Sequence, residues 1–197
     1  MTIVSKLLLI FFMLGLVSVC LPQKVLAESS NRGITAFQLN QSKANQGDAN
    51  AQYTLALMYE NGTGIPRDPR YAIYWYTKAA QQGHVEAQYR LGTIYRYGYG
   101  DEVFLLDFKQ AVYWITKAAE QGHLIAQYNL GHMYEWGDAA PLDYKQAFFW
   151  YTKAAEKGYA FAADDREMML ERMSQSQIEE VRKLSKELYE KIYNKAK

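Results

Sequence analysis

"YWYTKAAQQGH" spans Tyr74–His84, "YWITKAAEQGH" spans Tyr113–His123, and "FWYTKAAEKGY" spans Phe149–Tyr159. Self-similarity at a fixed spacing is the signature of a repeat architecture. The match extends outward. "AQYTLALMYENGTG" at Ala51–Gly64 answers "AQYRLGTIYRYGYG" at Ala87–Gly100 and "AQYNLGHMYEWGDA" at Ala126–Ala139. Tyr53, Tyr89 and Tyr128 mark steps of 36 and 39 residues, and Trp75, Trp114 and Trp150 mark steps of 39 and 36. The period is therefore 36. Three extra residues of the second unit fall in "DEVFLL", between Gly100 and Asp107, while both flanking phrases stay in register. Such an insertion belongs in a loop.

Each unit reads as two helices. Ala51, Leu55, Met58 and Tyr59 recur at three- and four-residue spacing and share one helical face. Gly62, Gly98 and Gly137 stand where a left-handed C-terminal cap is needed. Asp68, Asp107 and Asp143 open the second helix as N-caps. Pro69 follows the first of them, and Gln110 and Gln146 stand three residues after the others, as in a capping box. Gly83, Gly122 and Gly158 close the second helix. Strand signals, sustained alternation with turn punctuation, are absent. Ala79-Ala80, Ala118-Ala119 and Ala154-Ala155 let helix axes approach, and Trp and Tyr fill the wider gaps. A lone hairpin cannot bury its apolar face, so the phrase must be repeated to make a core.

The array ends degenerate. "LNQSKANQGD" at Leu39–Asp48 keeps Ala44 and Gly47 but has Leu39 in place of Trp. After Gly158 a fourth first helix begins with Ala162, yet Asp164 stands for Tyr and Arg166 for Leu. Ser174 and Gln177 then form a capping box. Ile178, Val181, Leu184, Leu188 and Ile192 make one apolar stripe, suited to covering the end of the stack. The fold class is all-α: a solenoid of stacked helical hairpins with a C-terminal capping helix. Its segments are a leader (1–27), a leading segment with a degenerate half-repeat (28–47), three repeats (48–83, 84–122, 123–158) and capping helices (159–197).

These phrases resemble the Sel-1-like repeat family, short relatives of tetratricopeptide repeats. Ala56 departs from its pattern in the first unit, where Gly is usual, and Ile115 in the second, where Tyr is usual. The resemblance implies a right-handed superhelix of α-hairpins and a scaffold or adaptor role in protein complexes. It also implies that the first helices line a concave surface.

The leader carries Lys6, an uncharged apolar stretch from Leu7 to Val19, and Val25-Leu26-Ala27. That is the pattern of a secretory signal peptide, with cleavage expected after about Ala27. Its apolar core is shorter than the ~20 residues a spanning helix takes. A lipoprotein signal ending at Cys20 and a retained anchor are the competing readings. The expected location is periplasmic or secreted. Cys20 is the only cysteine, so the mature chain has no disulfide and no thiol ligand for a metal. Loss of Lys6 and Lys24 leaves 20 basic against 21 acidic residues. This balance argues against nucleic acid as a partner, and against charge-driven membrane binding.

No catalytic constellation emerges, and no cofactor is expected. His84 and His123 are repeat equivalents whose slot holds Asp48 and Tyr159 in other units, which points to a turn or packing role. Lys78, Lys117 and Lys153 read as solvated helix-surface lysines. The informative residues are those that differ between units: Thr54, Leu57 and Asn61, then Arg90, Thr93 and Tyr97, then Asn129, His132 and Trp136. Each trio lies on one helical stripe, away from the stacking face. Stacking positions should repeat, whereas positions reading a non-repetitive partner should not. The stripe is therefore the candidate groove for a protein or peptide, with Tyr97 and Trp136 as anchors and Arg90 as a charged contact. The expected function is that of an exported, non-enzymatic, monomeric adaptor. An envelope enzyme of the β-lactam or cell-wall-binding kind and a chaperone-like peptide holder are the alternatives. The former follows from cysteine-rich relatives of the family, whose disulfides this mature chain lacks.

Overall fold

Caps set the length of the repeat helices. The computed structural model describes residues 36–99, 106–183 and 186. Helix α1 covers residues 36–45, α2 Ala49–Asn61, α3 Pro69–Gln81, α4 Val85–Tyr97, α5 Phe108–Glu120, α6 Leu124–Trp136, α7 Tyr144–Glu156, α8 Ala160–Glu171 and α9 residues 175–183. No extended strand occurs among the described residues. The leader, nearly all of the DEVFLL insertion, and Leu184, Leu188 and Ile192 of the terminal stripe lie outside them.

Helices α2 to α7 are each 13 residues long. The turn from second to first helix explains this uniformity. Gly83, Gly122 and Gly158 take φ of 89°, 87° and 85°. The next residue's N–H then reaches back to a carbonyl: His84 to Ala79 at 3.1 Å, His123 to Ala118 at 3.0 Å, Tyr159 to Ala154 at 3.1 Å. This is a Schellman closure, in which only glycine is unstrained. The same histidine starts the next helix, because its Nδ1 accepts from Ala87 N (3.2 Å) or Ala126 N (3.1 Å). Asp48 does so through Oδ1, from Ala51 N at 2.9 Å. One residue thus ends one helix and begins another.

The turn from first to second helix is closed by aspartate. Asp107 accepts from Gln110 N, and Asp143 from Lys145 N and Gln146 N. Asp68 accepts from Arg70 N and Tyr71 N. The reciprocal half of the expected capping box does not form. The aspartate N–H groups donate instead to the carbonyls of Tyr59, Tyr95 and Tyr134, each at 2.9 Å. They satisfy the end of the preceding helix and clamp the hairpin, so Gln110 and Gln146 are left exposed. Gly62 and Gly137 are left-handed caps as expected. Gly98 also has positive φ but an extended ψ of −177°.

The chain divides into two compact units, residues 1–75 and 76–197. In the first, Trp75 packs with Ala44, Ala51 and Leu55. In the second, consecutive helices from α4 to α8 pack pairwise. There Trp150 packs with Ala119, Ala126 and Leu130, the repeat equivalents of the residues around Trp75. Tyr74–Trp75, Tyr113–Trp114 and Phe149–Trp150 form edge-to-face pairs at 5.0, 4.8 and 4.9 Å, with interplanar angles of 80°, 79° and 82°. Rings set alike against alanines are the interlock that the repeated phrase encodes. The glycine of "LG" has the same logic. A Cβ on Gly92 would lie 2.5 Å from Ile115 Cγ1, and one on Gly131 would lie 2.6 Å from the Tyr151 ring.

At the C-terminal end, Ser174 and Gln177 form the full reciprocal box, at 2.8 and 3.3 Å. It seats α9 so that Val181 is buried with Met169 and Met173. No helix among the described residues is long and apolar enough to cross a membrane.

Candidate functional site

The stripe is built on first helices whose inner faces are committed to the core. Gln52, Gln88 and Gln127 are buried beside it, and each donates Nε2 to the carbonyl eight residues back: Ala44, Ala80 or Ala119, at 3.0–3.1 Å. This bond fixes the rotation of each first helix about its axis. The glutamine of "AQY" repeats in the sequence, but its role emerges only from the structure.

In the first unit, on α2, the Thr54 hydroxyl donates to Asn50 O at 2.8 Å, Leu57 is half-buried and Asn61 is exposed. In the second unit, α4 exposes Arg90 and Tyr97, the latter to 65%. Thr93 is half-buried and bonded to Arg90 O at 2.7 Å. On α6, Trp136 is 57% exposed, and His132 lies 6.1 Å from its ring. Asn129 donates to the Tyr89 hydroxyl at 3.1 Å. The threonines and Asn129 thus spend their polar groups internally. Asn61, Arg90, Tyr97 and Trp136 are the stripe residues most open to solvent.

Against the exposed rings lies a set of charges that sequence comparison missed. Arg96 is buried, sits 4.8 Å from the Tyr97 ring and pairs with Asp138. Glu135 occupies the equivalent position on α6, is buried, accepts from Tyr151 Oη at 2.6 Å and pairs with Arg172. Arg172 lies 4.3 Å above the Trp136 ring. Each ring therefore has a guanidinium against one of its faces, an arrangement worth about 0.5–2 kcal/mol. His132 is held below its ordinary pKa by burial first and then by Arg96, against the opposing pull of Asp138 and Asp165.

Helix α8, where the repeated phrase breaks down, adds a further row. One period on from Asn129, His132 and Trp136 stand Asp165, Met168 and Arg172. Tyr128 donates to Asp165 at 2.6 Å, just as Tyr89 bonds Asn129 one repeat earlier. Tyr89 also stacks on His123 at 4.4 Å, and Tyr128 packs on Tyr159 at 5.0 Å. Helix α8 therefore meets α6 in the register in which α6 meets α4. Continuing the 36-residue count past the degenerate motif is the signal that finds it.

His84 and His123 are caps, as described. Lys117 and Lys153 pair with Glu120 and Glu156 on their own helices, both at 3.5 Å. No group of three or more His, Cys, Asp or Glu side chains able to hold a metal ion occurs among the described residues.

The Sel1 repeat family model matches residues 49–84, 85–123 and 124–159. The chain belongs to the Sel1 repeat family. This Sel1 repeat chain is 35% identical to the crystal structure of a Sel1 repeat protein from Oxalobacter formigenes. The match covers 66% of this chain and 96% of that one, with a TM-score of 0.60. It is 34% identical to c5321, a protective antigen present in uropathogenic Escherichia coli strains and displaying an SLR fold. There it covers 77% of this chain but only 36% of the antigen, with a TM-score of 0.62. Comparison with curated proteins gives no match. Sel1 repeat proteins typically mediate protein–protein interaction, and the scaffold family is generally non-enzymatic.

Proposed function

We propose that this chain is an exported, non-enzymatic adaptor that works as a monomer and captures a protein or peptide segment across its first-helix face. One observation carries the reading. Tyr97 and Trp136 occupy the same repeat position, and both are more than half exposed while flanking stacking residues are buried. Stacking explains the residues that repeat. It does not explain an exposed phenol and an exposed indole held against Arg96 and Arg172. Rigid amphipathic rings of this kind anchor interfaces. The leader pattern in residues 1–27 supports export, and the interaction role of the family supports an adaptor.

The test joins two measurements. N-terminal sequencing of the protein recovered from its native envelope should start near Glu28. The mature chain and its Tyr97→Ala/Trp136→Ala variant should then be panned against a displayed random peptide library. Selective loss of peptide capture by the variant, with melting and helical content unchanged, supports the reading. Equal capture by both proteins, or unfolding of the variant, overturns it.

A further inference from the structure

Helix α8 leaves apolar surface in the stripe register. Phe161 is 66% exposed and Met168 54% exposed, although α8 packs on α7 through Ala162 and Met169. They lie seven residues apart, two turns along one face. Their equivalents on α6 are Ile125 and His132, both half-buried. The apolar surface thus grows from one row to the next, ending beside Trp136, which Arg172 links to the end of α8.

The rim of this surface is acidic. Asp164 and Glu171 are exposed, Glu167 is exposed but spent on Arg166, and Asp165 is half-buried against Tyr128. The nearby cations are already engaged: Arg166 with Glu167 at 2.9 Å, and Arg172 with Glu135. Asp164 and Glu171 take the repeat positions of Tyr128 and Glu135, which on α6 receive the next row. On α8 both stay in solvent. The other end of the face, on α4, instead presents Arg90, while Glu86 lies against His123 Nε2 at 3.2 Å.

We infer that the captured segment is a cationic, apolar extended peptide. One apolar side chain would sit on Trp136, a second on Phe161 and Met168, and lysine or arginine would meet the acidic rim of α8. The inference rests on the proposed binding face and adds the chemistry of its occupant. Packed helices lie roughly 8–10 Å apart, and an extended chain rises roughly 3.3 Å per residue. Met168 lies four residues, roughly 6 Å, back along α8 from Arg172, the repeat equivalent of Trp136, so the two apolar side chains should stand two or four residues apart, an even separation that keeps them on one side of the strand.

The probe is the displayed random dodecapeptide library, panned on the mature full-length chain, with the winning peptide then titrated by fluorescence anisotropy. Enriched peptides should carry two apolar residues at that spacing with Lys or Arg beside the second. Phe161→Ser/Met168→Ser should weaken binding at least tenfold without lowering Tm, since both side chains face water. Asp164→Lys/Glu171→Lys should turn the enriched charge from basic to acidic. If the α8 variants bind normally while Tyr97→Ala/Trp136→Ala does not, the inference falls and the binding face stands. If neither set matters, or no peptide is enriched, both fall. If sedimentation shows a dimer that Phe161→Ser/Met168→Ser dissociates, a second copy covers this surface and the inference is overturned.

Discussion

The phenol of Tyr128 donates a 2.6 Å hydrogen bond to the carboxylate of Asp165, and this bond fixes α8 on α6. Its counterpart one repeat earlier joins Asn129 to Tyr89 at 3.1 Å. The chemistry changes and the register does not. A carboxylate accepts where an amide donated, and the tyrosine reverses its role.

Burial first, and then the bond to Asp165, push the Tyr128 pKa from 10.0 up to about 12. A raised pKa in the folded state contributes stability that is complete below the unfolded value of about 10. That contribution is lost as pH climbs through the folded value. Tyr128→Phe should therefore cost about 1 kcal/mol near neutral pH, the usual net worth of such a bond. The gap from wild type should narrow above pH 10. Urea titrations at pH 7, 9 and 11 measure it. A gap that stays constant across the series would show that the phenol is not held by Asp165.

Gly131 and Gly92 test the close approach of hairpin helices. Alanine at Gly131 meets the Tyr151 ring, which is fully buried and cannot swing away. At Gly92 the new methyl meets Ile115 Cγ1 and also the Ile115 backbone N at 3.0 Å. Overpacking costs about 1–3 kcal/mol, and the gain in helix propensity offsets at most about 1. Both variants should melt below wild type. A melting temperature at or above wild type for either would mean that the crossing is looser than described.

The parts of this fold that the sequence announces are those that recur. The cap aspartates, the closing glycines and the Trp–Ala interlock each appear three times, so the period alone locates them. Recurrence says nothing about direction, however. Gln110 and Gln146 look like capping-box partners, yet the tyrosine carbonyls of the preceding helix claim the aspartate N–H groups. Comparison between repeats also treats variation as a sign of surface. Arg96 and Glu135 vary and are nevertheless buried, because Asp138 and Arg172 vary with them. Asp164 and Arg166 break the motif and conceal that Asp165, Met168 and Arg172 keep its count.

The Glu135–Arg172 pair supplies a direct test of those buried charges. The Glu135 side chain is 2% exposed and Arg172 39% exposed. Breaking a fully buried pair costs about 3–5 kcal/mol, and the partial exposure of Arg172 discounts this to about 2. Arg172→Ala should therefore destabilise the chain by about 2 kcal/mol and change the emission of Trp136. Glu135→Gln in the same background should recover part of the loss, since no unpaired buried charge remains and the amide oxygen still accepts from the Tyr151 hydroxyl. Additive losses in this double-mutant cycle would mean that the two residues are not coupled.

The histidine caps make a prediction about pH. His84 Nδ1 accepts from Ala87 N, which requires the neutral ring. Its pKa lies below the ordinary value because of burial first, with Glu86 pulling the other way. The unfolded chain therefore takes up the proton before the folded one. The contribution to stability is complete above the unfolded pKa of about 6.5 and is lost as pH falls from there through the folded value. His132 shifts in the same direction, so the cap must be isolated by substitution. Asp48 performs the same capping without an imidazole, which makes His84→Asp the informative variant. His84→Ala should lose about 1 kcal/mol at pH 8, as for other lost caps. His84→Asp should match wild type at pH 8 and lose less stability between pH 8 and pH 5. Identical losses in His84→Asp and wild type over that interval would remove His84 from the acid sensitivity of the fold.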